Sequence, residues 1–178
     1  MTASPKLTPP TEEEYNEFYH RYICLAQVED FFHVFESQPQ ALRETLGDLP
    51  AEEVAKLHGS YTWSLKQVVG HLIDCERIFS TRLLRIAVGD TTPLPGMNQD
   101  IYVSSLDYDS TSMQALLDEF SHLRQANVLL AKRLNTENLG CWGTASDYPV
   151  TAKANLFILV GHVEYHFAII RQRLGHSD

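Results

Sequence analysis

The sequence predicts an all-α protein, a four-helix bundle with long crossover connections. Three observations support this. Apolar residues recur at three- and four-residue steps in four separate stretches. Strand-like alternation of apolar and polar residues is not sustained anywhere. Capping residues stand where periodic stretches begin, and the connections between stretches are too long for simple antiparallel hairpins.

Residues 1–10 are rich in proline and read as a flexible lead, leaving 11–178 as one domain. The first helix is predicted over 11–36. Thr11 and Glu14 have capping-box form, and Phe18, Tyr22, Leu25, Val28, Phe32 and Phe35 supply the apolar stripe. Residues 37–63 then read as a connection with two prolines, holding a short helical turn near Gln40–Leu46. The second helix, 64–88, starts on a Ser64–Gln67 capping box and stops at Gly89, a residue suited to the left-handed C′ position. Gly89 to Asp109 reads as irregular because of its prolines, glycines and polar residues. The third helix is predicted over 112–135 and, after a turn-rich stretch, the fourth over 151–174.

Composition narrows the function. With 44% apolar and 21% charged residues, the 178-residue chain is neither a disordered tail nor a rod, and it is long enough to bury its own core. Its 14 basic and 23 acidic residues give a net charge of −9, which argues against nucleic acid as a partner. Cys24, Cys75 and Cys141 are an odd number without a CxxC pair, which suits a reducing compartment. The N-terminal stretch lacks the apolar core of a secretory signal. The most apolar run, Ala154 to Ile170, is interrupted by His162, Glu164 and His166, so no membrane partner is expected. The expectation is a soluble cytoplasmic protein.

The chemistry concentrates in three of the eight histidines. His162 and His166 are four residues apart, on one face of the fourth helix and one turn from each other, so they can share a cation. His71 lies inside an apolar helix, where an imidazole must find a partner. A glycine precedes the histidine on both helices, in Val69-Gly70-His71-Leu72 and Val160-Gly161-His162-Val163. Glycine inside a helix costs about 1 kcal/mol against alanine, and close backbone approach beside a shared site would account for it. If the second and fourth helices run antiparallel, all three imidazoles fall at one level of the bundle. His20, His33, His58, His122 and His176 lie in polar surroundings or near an end and read as solvated.

The chain also resembles the DinB/YfiT-like family of helical-bundle metalloproteins. The resemblance is carried by Trp63-Ser64 with Gly70-His71-Leu72-Ile73-Asp74-Cys75-Glu76-Arg77. It extends through Pro93-Leu94-Pro95-Gly96, Gln99-Asp100 and Tyr102-Val103 to Gly161-His162 and His166. It implies a DinB/YfiT-like fold and one divalent ion, zinc or nickel, on His71, His162 and His166. It also allows a homodimer, for which Tyr15, Phe18 and Tyr19 offer either a contact surface or a core stripe. Three imidazoles would leave a divalent ion with open positions, as in a catalytic site. Such an ion lowers the pKa of bound water or holds a thiol as thiolate. Asp74, Asp100 and Tyr102 are the candidate catalytic groups: Asp74 shares the His71 face, while the other two lie on the long second connection. Cys75 is a possible soft ligand or a core residue.

Two classes of function follow. One is a metal-dependent enzyme acting on a small molecule, either a hydrolase or, as relatives suggest, a transferase that activates a low-molecular-weight thiol such as bacillithiol or mycothiol. Arg77, Arg82, Arg85 and Arg124 could then receive an acidic thiol. The other is a metal-dependent binding or stress-response module without turnover. With the ordinary imidazole pKa near 6.5, acid should displace the ion below about pH 6.

Overall fold

The computed structural model describes residues 7–59 and 61–175; His176 and residues 1–6 of the lead lie outside them. The elements are α1 (His20–Leu25), α2 (Phe31–Leu46), α3 (Ala51–Ala55), α4 (Leu65–Ala87), α5 (Gln99–Ser105), α6 (Met113–Ala131), α7 (Thr136–Leu139), β1 (Trp142–Ala145), β2 (Tyr148–Thr151) and α8 (Ala152–Arg173). Helices α2, α4, α6 and α8 form the bundle, and α1 fills a groove against α8. None of the described helices is long and apolar enough to cross a membrane.

Side-chain pairs fix the helix directions. Asn155 donates to the Phe79 carbonyl while His162 meets His71, so α8 runs antiparallel to α4. Ser64 bonds Asp109 at one end and Asn138 bonds the Ala87 carbonyl at the other, so α6 runs parallel to α4. Arg43 pairs with Asp118 and Glu36 with Lys132, which makes α2 antiparallel to α6. Two neighbouring helices that point the same way need a connection that travels the length of the bundle. Residues 88–112 are that crossover.

The second, third and fourth helices match their predicted spans within a few residues, and both capping boxes form. Gly89 takes a left-handed φ of 79°, as its C′ position requires. The first helix is a correction. The span 11–36 is broken into two 3-10 turns, α1 and the start of α2, because Asp30 caps a new helix by accepting from the His33 amide. The break shifts the buried face: Phe18, Leu25 and Val28 are exposed, whereas Tyr15, Ile23, Ala26 and Phe31 are buried. Of the predicted flexible lead, Leu7 packs on the core and Pro10 is buried.

The connection 37–63 is likewise mostly helical. Pro39 sits inside α2, where a missing amide and ring crowding cost about 3 kcal/mol. Full burial of Phe35, Leu42 and Leu46, at about 1.5–3 kcal/mol each, outweighs that cost. A β-hairpin, β1–β2, replaces the predicted turn-rich stretch, with Ala145 opposite Tyr148 and Ser146 and Asp147 both at positive φ. Its strands are too short, and interrupted by Gly143 and Pro149, to leave an alternating pattern. Leu94 bonds to both Thr144 and Ser146, lashing the Pro93–Gly96 segment along the hairpin.

The core divides into two apolar clusters. One is built on Phe31, Phe35, Leu83 and Phe157, the other on Leu42, Leu65, Leu72 and Phe120. On α8 the division falls between Val160 and Val163, at His162, and on α4 between Ile73 and Cys75, within one turn of His71.

Both glycines that precede a histidine are demanded by packing. A Cβ on Gly161 would lie 1.7 Å from the Tyr22 carbonyl oxygen, and one on Gly70 would lie 2.5 Å from the Tyr108 ring. Helix propensity alone would make Gly161→Ala stabilising by about 1 kcal/mol. We expect instead a loss of about 3 kcal/mol from overpacking against backbone, measured by urea unfolding. The loss at Gly70→Ala should be smaller, because a side chain can yield.

Candidate metal centre

Helix α4 presents His71 and α8 presents His162 and His166, and one ligand nitrogen from each lies within 4.8 Å of the others. The His71 and His162 Nε2 atoms are 3.2 Å apart. Two nitrogens bound to one tetrahedral zinc at ~2.0–2.1 Å would lie ~3.3 Å apart, so the observed spacing fits a shared ion. The ring centroids are 4.6 to 5.0 Å apart and every pair is edge-on, so the rings converge rather than stack.

Burial sets their charge. It lowers the His71 pKa to about 4, with the negative charge of Asp100 opposing, and the His166 pKa to about 3, with His71 adding to the effect. His162 is also held well below the usual range, by burial first and then by repulsion from its two neighbours. All three are therefore neutral at physiological pH, which is the form that binds a metal. A cation can accept all three lone pairs at once, which pairwise hydrogen bonding among three imidazoles cannot do.

An aromatic shell holds the rings. Trp63 lies 5.1 Å from His71, Tyr22 5.3 Å and Phe79 5.5 Å from His162, and Tyr165 5.3 Å from His166. From the sequence, Trp63 stood out only as part of the family resemblance and Tyr22 only as part of the first helix's apolar stripe. Phe79 and Tyr165 were not singled out. Cys75 is buried with its sulfur 3.7 Å from His71 Nε2, and burial pushes its thiol far up, so it stays protonated.

The three candidate catalytic groups are dispersed. Asp74 is buried and accepts from the Tyr108 hydroxyl at 2.6 Å, not from an imidazole. Burial raises its pKa against the pull of that bond. Asp100 and Tyr102 sit on α5, a helix within the crossover that was read as irregular, started by Asn98 accepting from two amides. Both are exposed, and the Asp100 charge reaches His71. His33 and His122 are exposed, as expected, and His20 is exposed while contacting Tyr15 and Cys24; His58 departs from the solvated reading, its side chain only 10% exposed and held by Glu53 and Arg173. A cavity of about 260 Å³ opens beside His71 and His162, between α4, α1 and the hairpin.

Residues 35–170 match the sequence profile of the DinB superfamily, and the chain belongs to that family. It is 22% identical to a protein of Oceanobacillus iheyensis provisionally named a metal-dependent hydrolase, over 88% of this chain and 90% of the relative. Its fold is similar to that of YfiT from Bacillus subtilis, described as a probable metal-dependent hydrolase with an unusual four-helix-bundle topology. The TM-score is 0.75 at 17% identity, covering 96% and 95% of the two chains. A mycothiol-dependent maleylpyruvate isomerase shares the fold with a TM-score of 0.63 at 12% identity, over 77% of this chain and 57% of that one.

Replacing His71, His162 or His166 by alanine should lower metal content tenfold or more, read by elemental analysis of protein purified without an affinity tag. His33→Ala and His122→Ala should leave it unchanged. The metal-free protein should also respond to pH in one direction. Imidazoles with pKa values below the unfolded 6.5 give stability that is complete above pH 6.5 and lost as pH falls toward about 4. The melting temperature of chelator-treated protein should therefore drop between pH 7 and 4, and the drop should be shallower in His166→Gln.

Proposed function

We propose that this chain is a metal-dependent enzyme in which His71, His162 and His166 hold one divalent ion, zinc or nickel, and that it hydrolyses a small molecule bound in the adjoining cavity. The observation behind this reading is the convergence of three neutral imidazoles, two buried and one half-buried, on one point beside a cavity. The names carried by the O. iheyensis and B. subtilis relatives agree with it. A bound ion would supply Lewis-acid chemistry, lowering the pKa of water or of a thiol near neutrality.

The chain's own groups divide the remaining work. The aromatic shell excludes water and fixes the imidazole planes. Asp100, whose charge reaches His71, is the proton acceptor on the open side, with Tyr102 two residues on along the same helix. Asp74 acts at a distance, fastening Tyr108 and with it the end of the crossover that carries α5. The free state of Cys24, Cys75 and Cys141 agrees with a cytoplasmic setting.

A second reading, transfer of a low-molecular-weight thiol, draws support from the cavity lining, which holds no carboxylate. A thiol ionised by a metal needs no separate base, and the isomerase of similar fold is named for its dependence on a thiol. The two readings separate in one assay. Zinc- or nickel-loaded protein is offered esters and lactones, and in parallel a bimane electrophile with a thiol. Hydrolysis that falls at least tenfold with chelator and in His162→Ala is the expected result. Chelator-sensitive conjugation alone would favour thiol transfer, and a metal-loaded protein inert in both would be a binding module.

A further inference from the structure

Four arginines lie near enough in sequence to serve the site, and three of them have carboxylate partners. Arg77 pairs with Glu119, Arg85 with Asp90 and the buried Arg124 with Glu76. Arg82 differs. It is 5% exposed, and among the described residues it has no carboxylate within ion-pair distance. Its hydrogen bonds both leave from Nη2, to the Pro95 carbonyl at 2.7 Å and to Ser146 Oγ at 3.0 Å. Both acceptors are neutral, and most of the five N–H donors of the guanidinium are left for something else. A buried charge without a counter-charge is costly unless a ligand supplies one.

The position of Arg82 says what that ligand meets. Arg82 is eleven residues after His71 on α4, three turns along the same face, and both line the one cavity. Its guanidinium carbon lies 5.7 Å from the Phe79 ring centre, and Phe79 lies 5.5 Å from the His162 ring, so the guanidinium is within about 11 Å of that imidazole. Between them the wall is Tyr22, Phe79 and Met97, and no Asp or Glu contributes to the lining. Pro95 and Ser146 are themselves held by the bonds of Leu94 to the hairpin, so the guanidinium is set in place before anything binds.

We infer that the cavity takes an anionic organic molecule, a small carboxylate with an apolar or aromatic body, whose carboxylate accepts from the unused N–H groups of Arg82 while its reactive group reaches the imidazole cluster. One guanidinium balances one negative charge, which suits a carboxylate better than a phosphate dianion. The role of the cluster rests on the proposed function; the carboxylate anchor does not, since Arg82 needs no ion.

The test is calorimetric titration of zinc-loaded and of chelator-treated protein with 4-phenylbutanoate, its neutral amide and phenyl phosphate. The carboxylate should bind at least tenfold more tightly than the amide in both forms, and more tightly than phenyl phosphate. Arg82→Gln should abolish the preference over the amide. Arg82→Lys, which keeps the charge and loses the planar donor array that bonds Pro95 and Ser146 and still faces the ligand, should lose at least threefold of it. Equal affinity for carboxylate and amide in the unsubstituted protein would overturn the inference, as would an unchanged preference in Arg82→Lys, even where Arg82→Gln fails to fold. Tighter binding of phenyl phosphate would overturn the choice of carboxylate. A protein that binds no zinc yet keeps the preference would support the anchor and refute the metal-dependent reading.

Discussion

The antiparallel seam between α4 and α8 is the contact on which the rest of this structure depends. At that seam three imidazoles stand among apolar side chains, close to the level at which the two apolar clusters meet. The seam is pinned outside the imidazoles by Asn155 on the Phe79 carbonyl and Arg173 on the Trp63 carbonyl. Gly161 lets the backbone of α1 approach until Tyr22 stands against His162, and Gly70 does the same for the Tyr108 ring on the other helix. These glycines thus set how closely α1 and the Tyr108 ring pack against the two helices that carry the imidazoles.

Burial does two jobs at this level. It holds the imidazoles neutral, and it keeps the Cys75 thiol protonated. A second buried polar group stands on the opposite side of α4. There Glu76 accepts from Arg124 and Asn127, and Arg124 lies over the Phe35 and Phe120 rings. Such a pair adds little net stability against apolar replacements, but losing one partner strands a charge. Its effect here is to hold α6 parallel to α4 at one register, an arrangement that only a full-length crossover can connect. That crossover carries α5, with Asp100, and the Pro93–Gly96 segment, whose Pro95 carbonyl accepts from Arg82.

Much of this was legible from local signals. Periodicity and capping boxes located α4, α6 and α8, because long amphipathic helices with hydroxyl caps satisfy their own backbone. The histidine trio was legible because an imidazole on an apolar face needs a partner, and the glycine before His71 and His162 announced close packing. Tertiary contacts decided what local rules could not. Burial of Leu42 and Leu46 carried α2 through Pro39, and the Asp30 cap ended a stripe that looked continuous. The hairpin exists because Leu94, remote in sequence, bonds along it. Asp74 shares the His71 face in sequence, and the fold gave its carboxylate the Tyr108 hydroxyl. The sequence offered four arginines on equal terms; three met carboxylates and Arg82 met only neutral acceptors, because charge partners are chosen by distance in space, which no spacing along the chain encodes.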